Sequence, residues 1–155
     1  MTNLTPSKTT DDYWIFAKPP DRKFKQTGRI GKWMLFPLKE ELDTVWLKIA
    51  KATEDGVLGI DAKTSTAKPN PNSISSKVGL ICVYTYDTDD VADVKRVLEQ
   101  LRTLGFNYRL NYKEDEQTLL GNYARDNPGA VSIFTSPADS LQLVHPKKWA
   151  GRRLV

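Results

Sequence analysis

Hydrophobic and polar positions are ordered most clearly over residues 77–106, where an apolar run leads into a helical repeat. Residues 78–86 are largely β-branched or aromatic and contain no proline, which predicts a strand covered on both faces. In the repeat, apolar residues recur at steps of three and four: Val91, Val94, Leu98 and Leu101. This spacing predicts an amphipathic helix. We expect Thr88 to cap its first turn and Gly105 to end it in the left-handed conformation.

A second strand–helix pair precedes this one. Residues 32–38 have the composition of a strand, and Glu40 and Glu41 favour the start of a helix that runs to about residue 54. Shorter strand patterns occur at 13–17, 57–63, 108–112, 131–134 and 141–144, with a helical turn at 115–120. Short links between most strands imply antiparallel pairing. The pattern predicts an α+β fold, a curved and mainly antiparallel sheet with two long helices on one face.

The length of 155 residues suggests a single domain. Residues 1–12 are polar and predict a disordered tail, residues 13–146 form the predicted single α+β domain, and residues 147–155 form a basic tail. The polar stretch 64–77 contains two prolines and is too long for a plain turn. It is either mobile or a lid over a ligand.

Charge is distributed unevenly along the chain, whose net charge is +4. Residues 13–32 carry a net +5 and residues 147–155 a net +4, whereas residues 33–146 carry −4. Such asymmetry indicates a phosphate-bearing partner, with solubility alone as the alternative explanation.

Several classes of protein are disfavoured by the residues present. The one cysteine, Cys82, falls in the core strand, which excludes a disulfide framework and favours a reducing, cytoplasmic location. No apolar run approaches the ~20 residues of a membrane span, and no signal peptide is recognisable. The one histidine, His145, has no carboxylate at a supporting spacing, and no metal-ligand cluster or phosphate-binding glycine loop occurs. We expect no metal and no cofactor.

Several short motifs, in a fixed order over residues 30–125, carry a resemblance to a known family. They are GKWMLF at 31–36, GVLG at 56–59, AKTST at 62–66, ICVYT at 81–85, and then Asp93, Leu104, Gly105, Lys113, Thr118 and Tyr123. The series resembles the family named for a basophilic-leukaemia-expressed protein. That family is similar in fold to the cap-binding translation initiation factor (four-E), which has a curved antiparallel sheet backed by helices and a nucleotide site on its concave side.

The resemblance implies a basic concave surface. Lys32 and Trp33 resemble the initiation factor's basic-Trp strand, and Lys63 falls where that factor has a basic residue reaching the cap phosphates. Trp33 itself is expected in the core. Lys113 and Tyr123 flank the turn at Thr118, where they could complete an anion pocket, or be an ordinary surface lysine and a half-buried tyrosine.

The function expected from these features is a non-catalytic binding module for a nucleotide or single-stranded RNA on the concave sheet face. Its phosphate or nucleotide contacts are predicted to be Lys32, Lys63, Lys113 and Tyr123. Its RNA-backbone contacts are predicted to be Arg29, Lys147, Lys148 and Trp149, with a plain cationic tail as the alternative for the last three. Two further alternatives stay open: a lyase-like enzyme that handles a phosphorylated ligand with a Lys/Tyr pair, and a protein-interaction module. The oligomeric state is left open.

Overall fold

Six strands and two helices make up the regular part of the computed structural model, which describes residues 4–20, 28–71, 76–115 and 133–145. The strands are β1 (Trp14–Ala17), β2 (Gly31–Leu35), β3 (Asp61–Ser65), β4 (Ile81–Thr85), β5 (Leu110–Glu114) and β6 (Phe134–Ser136). The helices are α1 (Leu42–Glu54) and α2 (Val91–Thr103), and a single 3₁₀ turn covers Pro6–Lys8. The strands form one antiparallel sheet in the order β1-β3-β4-β2-β5-β6. The predicted α+β class is confirmed.

By its internal contacts the chain divides into two compact units. Unit 1 consists of Met1–Lys23 and Leu35–Val83, and unit 2 of Phe24–Met34 and Tyr84–Val155. Each unit has buried residues and a candidate surface of its own, and the two are described separately.

In unit 1, helix α1 packs on strands β1 and β3. Its buried stripe includes Leu42, Trp46 and Ile49, spaced so that one face of the helix is apolar. The edge strand β1 pairs antiparallel with β3, and alternate residues such as Ile15 and Ala62 turn inward and are buried. The other residues of both strands therefore lie on the face of the sheet away from these buried side chains.

In unit 2, strand β5 lies between β2 and β6. Trp33 of β2 and Tyr112 of β5 are directly opposite, with ring centroids 5.2 Å apart in an edge-on arrangement. The Trp33 indole nitrogen donates to the Val94 carbonyl of α2 at 3.0 Å. Trp33 is fully buried, as expected, and Val94, Val97, Leu98 and Leu101 form the buried stripe of α2.

The predicted strand and helix of residues 77–106 are both present, although β4 (Ile81–Thr85) is shorter than the predicted 78–86 and the helix cap differs. All five residues of β4 are buried, including Cys82, and Gly105 has a φ of +102° just beyond α2. Asp90 caps α2 in place of Thr88, because its carboxylate accepts from the Asp93 amide at 3.1 Å. The Thr88 hydroxyl is instead 3.3 Å from the Tyr112 hydroxyl.

Several other boundaries differ from the predicted ones. The strand expected at 57–63 is observed at Asp61–Ser65, because the Val57 amide bonds back to the Ala52 carbonyl at 2.9 Å and extends the turn that ends α1. The strand expected at 141–144 is reduced to a bridge between Thr135 and Val144. Residues 116–120 of the expected helical turn at 115–120, the basic tail at 147–155 and residues 131–132 of the strand expected at 131–134 lie outside the described residues.

Residues 4–13, which we call the leading segment, were mostly expected to belong to a disordered tail. The part that is described makes defined hydrogen bonds to the chain after β3. Pro6 is buried, and its carbonyl accepts from the Ala67 amide at 3.0 Å. The Thr66 hydroxyl donates to the Asp12 carbonyl at 2.5 Å. Polar composition alone missed this arrangement, because backbone carbonyls rather than apolar side chains make the bonds.

Candidate functional site

The outward face of β1 and β3 carries an aromatic and basic cluster in unit 1. Phe16 is directly opposite Lys63, and Trp14 is directly opposite Ser65, so these four side chains share one face of the strand pair. We call them the β1–β3 surface. The Lys63 ammonium lies 3.9 Å from the centroid of the Trp14 ring, and Phe16 is 50% exposed.

This geometry brings together the two chemical features that a nucleotide requires. A lysine above an indole ring is a cation–π contact, whose strength depends on how well the pair is shielded from water. Aromatic faces next to a lysine also offer a stacking platform and a point charge for a phosphate. Asp61 adds a carboxylate at the end of the surface, and it lies 4.0 Å from the Lys18 ammonium.

Unit 2 brings Lys32 and Lys113 together, directly opposite one another on β2 and β5. Lys32 is only 7% exposed, its ammonium is 2.7 Å from the Asp115 carboxylate, and it lies 5.6 Å from the centroid of the Tyr84 ring. Its charge is therefore already compensated within the protein. Lys113 is half-buried. A phosphate that used Lys32 would have to replace Asp115 as its partner.

Arg29, predicted to contact an RNA backbone, is held by two carboxylates. One nitrogen of its guanidinium donates to Asp89 at 2.9 Å, and the other donates to Glu114 at 2.7 Å. Glu114 is buried on β5, directly opposite Gly31, so this ion pair ties residue 29 to the edge of the β2–β5 pair. Arg29 has a structural explanation that the sequence did not suggest.

The remaining predicted contacts are divided between the units or lie beyond the described part of the chain. Lys63 belongs to unit 1, whereas Lys32 and Lys113 belong to unit 2. Tyr123, Lys147, Lys148 and Trp149 lie outside the described residues. Their predicted roles stay predictions, and so does the Lys/Tyr enzyme that would need Tyr123.

Trp14 and Phe16 were not predicted as site residues. The signal was present in the sequence, since two aromatics two positions apart in a strand must share a face. What the sequence lacked was the partner strand, because only the register of β1 against β3 places Lys63 beside them.

The described residues contain no group of three or more His, Cys, Asp or Glu side chains arranged to hold a metal ion. Within the same residues, neither helix is long and apolar enough to cross a membrane. His145 lies beside Phe134, with ring centroids 5.6 Å apart, and its Nδ1 is 3.2 Å from the Ile133 carbonyl oxygen.

The fold defines an α+β protein with an antiparallel sheet, in which the β1–β3 pair carries Trp14, Phe16 and Lys63 on its outward face. The sequence model described as "Basophilic leukemia-expressed protein Bles03" matches residues 21–121, which is more than half of the chain. The chain therefore belongs to this family, as its motifs predicted.

Solved structures similar to this chain include two complexes of the initiation factor that the resemblance named. One is Ascaris suum eIF4E-3 with the m2,2,7G cap, which is 16% identical in sequence and has a TM-score of 0.45. The match covers 64% of this chain and 59% of that chain. The other is C. elegans eIF4E-3 with the 4E-binding protein Mextli and a cap analog, which is also 16% identical and has a TM-score of 0.49. That match covers 69% of this chain and 64% of the other. The chain thus spans less than two thirds of the length of either relative. Cap and Mextli are ligands of those proteins.

Proposed function

We propose that this protein is a binding module for single-stranded RNA or a nucleotide, and that the β1–β3 surface contacts the base and the phosphate. The observation that supports the proposal most directly is the Lys63 ammonium, 3.9 Å above the Trp14 ring, beside the half-exposed Phe16. Base stacking on Trp14 would provide affinity without sequence readout, and Lys63 would meet a phosphate oxygen.

The charge environment favours this surface over the Lys32–Lys113 pair as the first contact for a ligand. Lys32 is nearly buried and paired with Asp115, so a phosphate there would have to displace a 2.7 Å ion pair. On the β1–β3 surface, Lys63 is half-buried and its ammonium lies 3.9 Å from the centroid of the Trp14 ring, so a base stacked on this indole would lie beside the positive charge. Lys113 remains a proposed second phosphate contact.

The test is fluorescence anisotropy of a labelled single-stranded 12-nucleotide RNA, titrated with the protein over a series of salt concentrations. Trp14→Leu should weaken binding roughly 5- to 150-fold, which corresponds to the ~1–3 kcal/mol of one stacked base. Lys63→Ala should weaken binding and lower the salt slope by about 0.7, the value for one phosphate contact on a single strand. The matched control is Lys51→Ala on α1, where the lysine is exposed and paired with Asp55 at 3.2 Å.

Equal affinities for the unmodified protein, Trp14→Leu and Lys63→Ala would rule out the β1–β3 surface. Absence of RNA binding at low salt, together with binding of mononucleotides that quench Trp14 fluorescence, would restrict the function to nucleotides. Circular dichroism of each variant separates loss of binding from loss of fold.

A further inference from the structure

The leading segment is attached to α1 through one side chain. Ser7 donates its backbone amide to Asp43 Oδ1 at 2.9 Å and its hydroxyl to Oδ2 at 2.5 Å. Both oxygens of a single carboxylate are therefore bound to one exposed serine. Hydrogen bonds to a charged acceptor are stronger than those between neutral groups. These two bonds join residues that are 36 positions apart in the sequence.

The same segment leads directly into the strand that carries the proposed binding surface. On either side of Ser7, the carbonyls of Pro6 and Thr9 both accept from the Ala67 amide, each at 3.0 Å. The Lys68 ammonium donates to the Asp11 carbonyl at 3.1 Å and lies 4.3 Å from the centroid of the Tyr13 ring. Strand β1 begins at the next residue, Trp14, so the position of the segment bears on the position of Trp14.

We propose that Ser7 is a phosphorylation site, and that its phosphate releases the leading segment from Asp43. A protein kinase would transfer the γ-phosphoryl group of ATP to Ser7 Oγ, with ADP as the leaving group and the hydroxyl proton passing to a kinase base. The consequence for the β1–β3 surface, weaker binding of single-stranded RNA, rests on the proposed function. The release itself does not.

Charge decides the direction of the effect. A phosphoserine has lost the hydroxyl proton that Asp43 accepts and carries about −1.5 to −2 at neutral pH. It would face Asp43 at the end of α1 that is preceded by the exposed Glu40 and Glu41. The helix N-terminus offers only about half a positive charge. Lys8 and Lys39 are exposed, where an ion pair contributes little. Repulsion therefore outweighs attraction.

The amide of Ala67 reports release directly, because its bonds are to the leading segment. Protein carrying phosphoserine at position 7, made by ligating a synthetic phosphopeptide to the rest of the chain, is compared with the unmodified protein by hydrogen exchange. Exchange at Ala67 should be at least about tenfold faster, the factor for one lost hydrogen bond to a charged group. The matched control carries phosphothreonine at Thr10, an exposed residue of the same segment, and should leave the rate unchanged.

Asp43→Asn tests the mechanism. It removes the repulsion, so phosphorylation of Ser7 should change Ala67 exchange less than about twofold in this variant. Equal exchange in the phospho-Ser7 and unmodified proteins, or equal acceleration with and without Asp43, would overturn the proposal. Incubation of the protein with ATP and an extract of its source cells should place phosphate on Ser7 by mass spectrometry, and its absence there would also count against the site.

RNA binding separates the two proposals. Several-fold weaker binding by the phospho-Ser7 protein supports control of the β1–β3 surface. If Ala67 exchange accelerates but neither form binds RNA, segment release stands and the proposed function fails. If both forms bind RNA equally although the segment is released, Ser7 does not control the surface.

Discussion

Arg102, on the last turn of α2, holds the chain that follows the helix and the chain around β6. Its guanidinium donates to four carbonyl oxygens at 2.5–3.0 Å, those of Phe106, Tyr108, Pro137 and Ser140. Burial lowers the pKa of the Arg102 guanidinium. The planar fork of the guanidinium thus joins the end of α2 to the segment that follows it and to the residues that flank β6.

Arg102→Lys keeps the positive charge and removes the fork. A lysine ammonium donates from a single point and cannot reach carbonyls that lie in several directions. Each hydrogen bond makes a net contribution of about 0.5–1.5 kcal/mol to stability. The contributions of four bonds in one cluster do not add fully, because water can replace some of them. We therefore expect the free energy of unfolding to fall by about 2–4 kcal/mol.

Urea unfolding followed by circular dichroism measures this loss as a lower midpoint at an unchanged slope. The matched control is Arg96→Lys on the same helix, where the arginine pairs with Asp93 at 3.1 Å in a partly buried i,i+3 contact. Its cost should not exceed about 0.5 kcal/mol. If Arg102→Lys costs no more than Arg96→Lys, then the carbonyl bonds contribute nothing beyond charge, and the reasoning fails.

Two further predictions concern Tyr112, which is fully buried with its hydroxyl 2.6 Å from that of Thr85. Burial raises the pKa of Tyr112 to about 12, above the value of about 10 in an unfolded chain. Above pH 10 the folded state keeps a proton on Tyr112 that the unfolded state loses, so the free energy of unfolding should fall by up to roughly 2.7 kcal/mol as pH rises from about 10 to about 12. Urea unfolding at pH 8, 10 and 11 measures this fall. Tyr112→Phe should abolish it. Gly31→Ala places a Cβ 2.0 Å from the Tyr112 hydroxyl oxygen, so either β2 or the ring must move. We expect a loss of about 1–3 kcal/mol in the same measurement, and an unchanged midpoint would contradict this packing.

The elements that were predicted well are those whose residue pattern lies within one short stretch of sequence. Strand β4 and helix α2 were predicted because a buried strand and an amphipathic helix each leave a periodic signature within a dozen residues. The position of β3 was missed by four residues at its start, because the hydrogen bond from Val57 back to Ala52 extends the turn after α1. Apolar composition does not register such a turn.

The candidate site was less predictable, because its defining contacts are distant in sequence. Asp89 and Glu114, the partners of Arg29, lie 60 and 85 residues away from it, and Asp115 lies 83 residues from Lys32. Nothing in the spacing of a basic loop shows which of its charges will be paired. The Ser7–Asp43 contact was missed for the same reason.

Because basic side chains in residues 13–32 are paired with carboxylates, the net charge of that range overstates the positive charge that a ligand would meet. Residues 13–32 carry a net +5, which suggested a strongly basic surface. Of the six basic residues in that range, the three that are described, Lys18, Arg29 and Lys32, each have a carboxylate within 4.0 Å. If RNA binds mainly on the β1–β3 surface, stacking should then contribute more than charge, and the salt slope should stay near the −0.7 of one phosphate contact. A slope several times steeper would have to come from basic residues outside the described ranges, which include those of the tail.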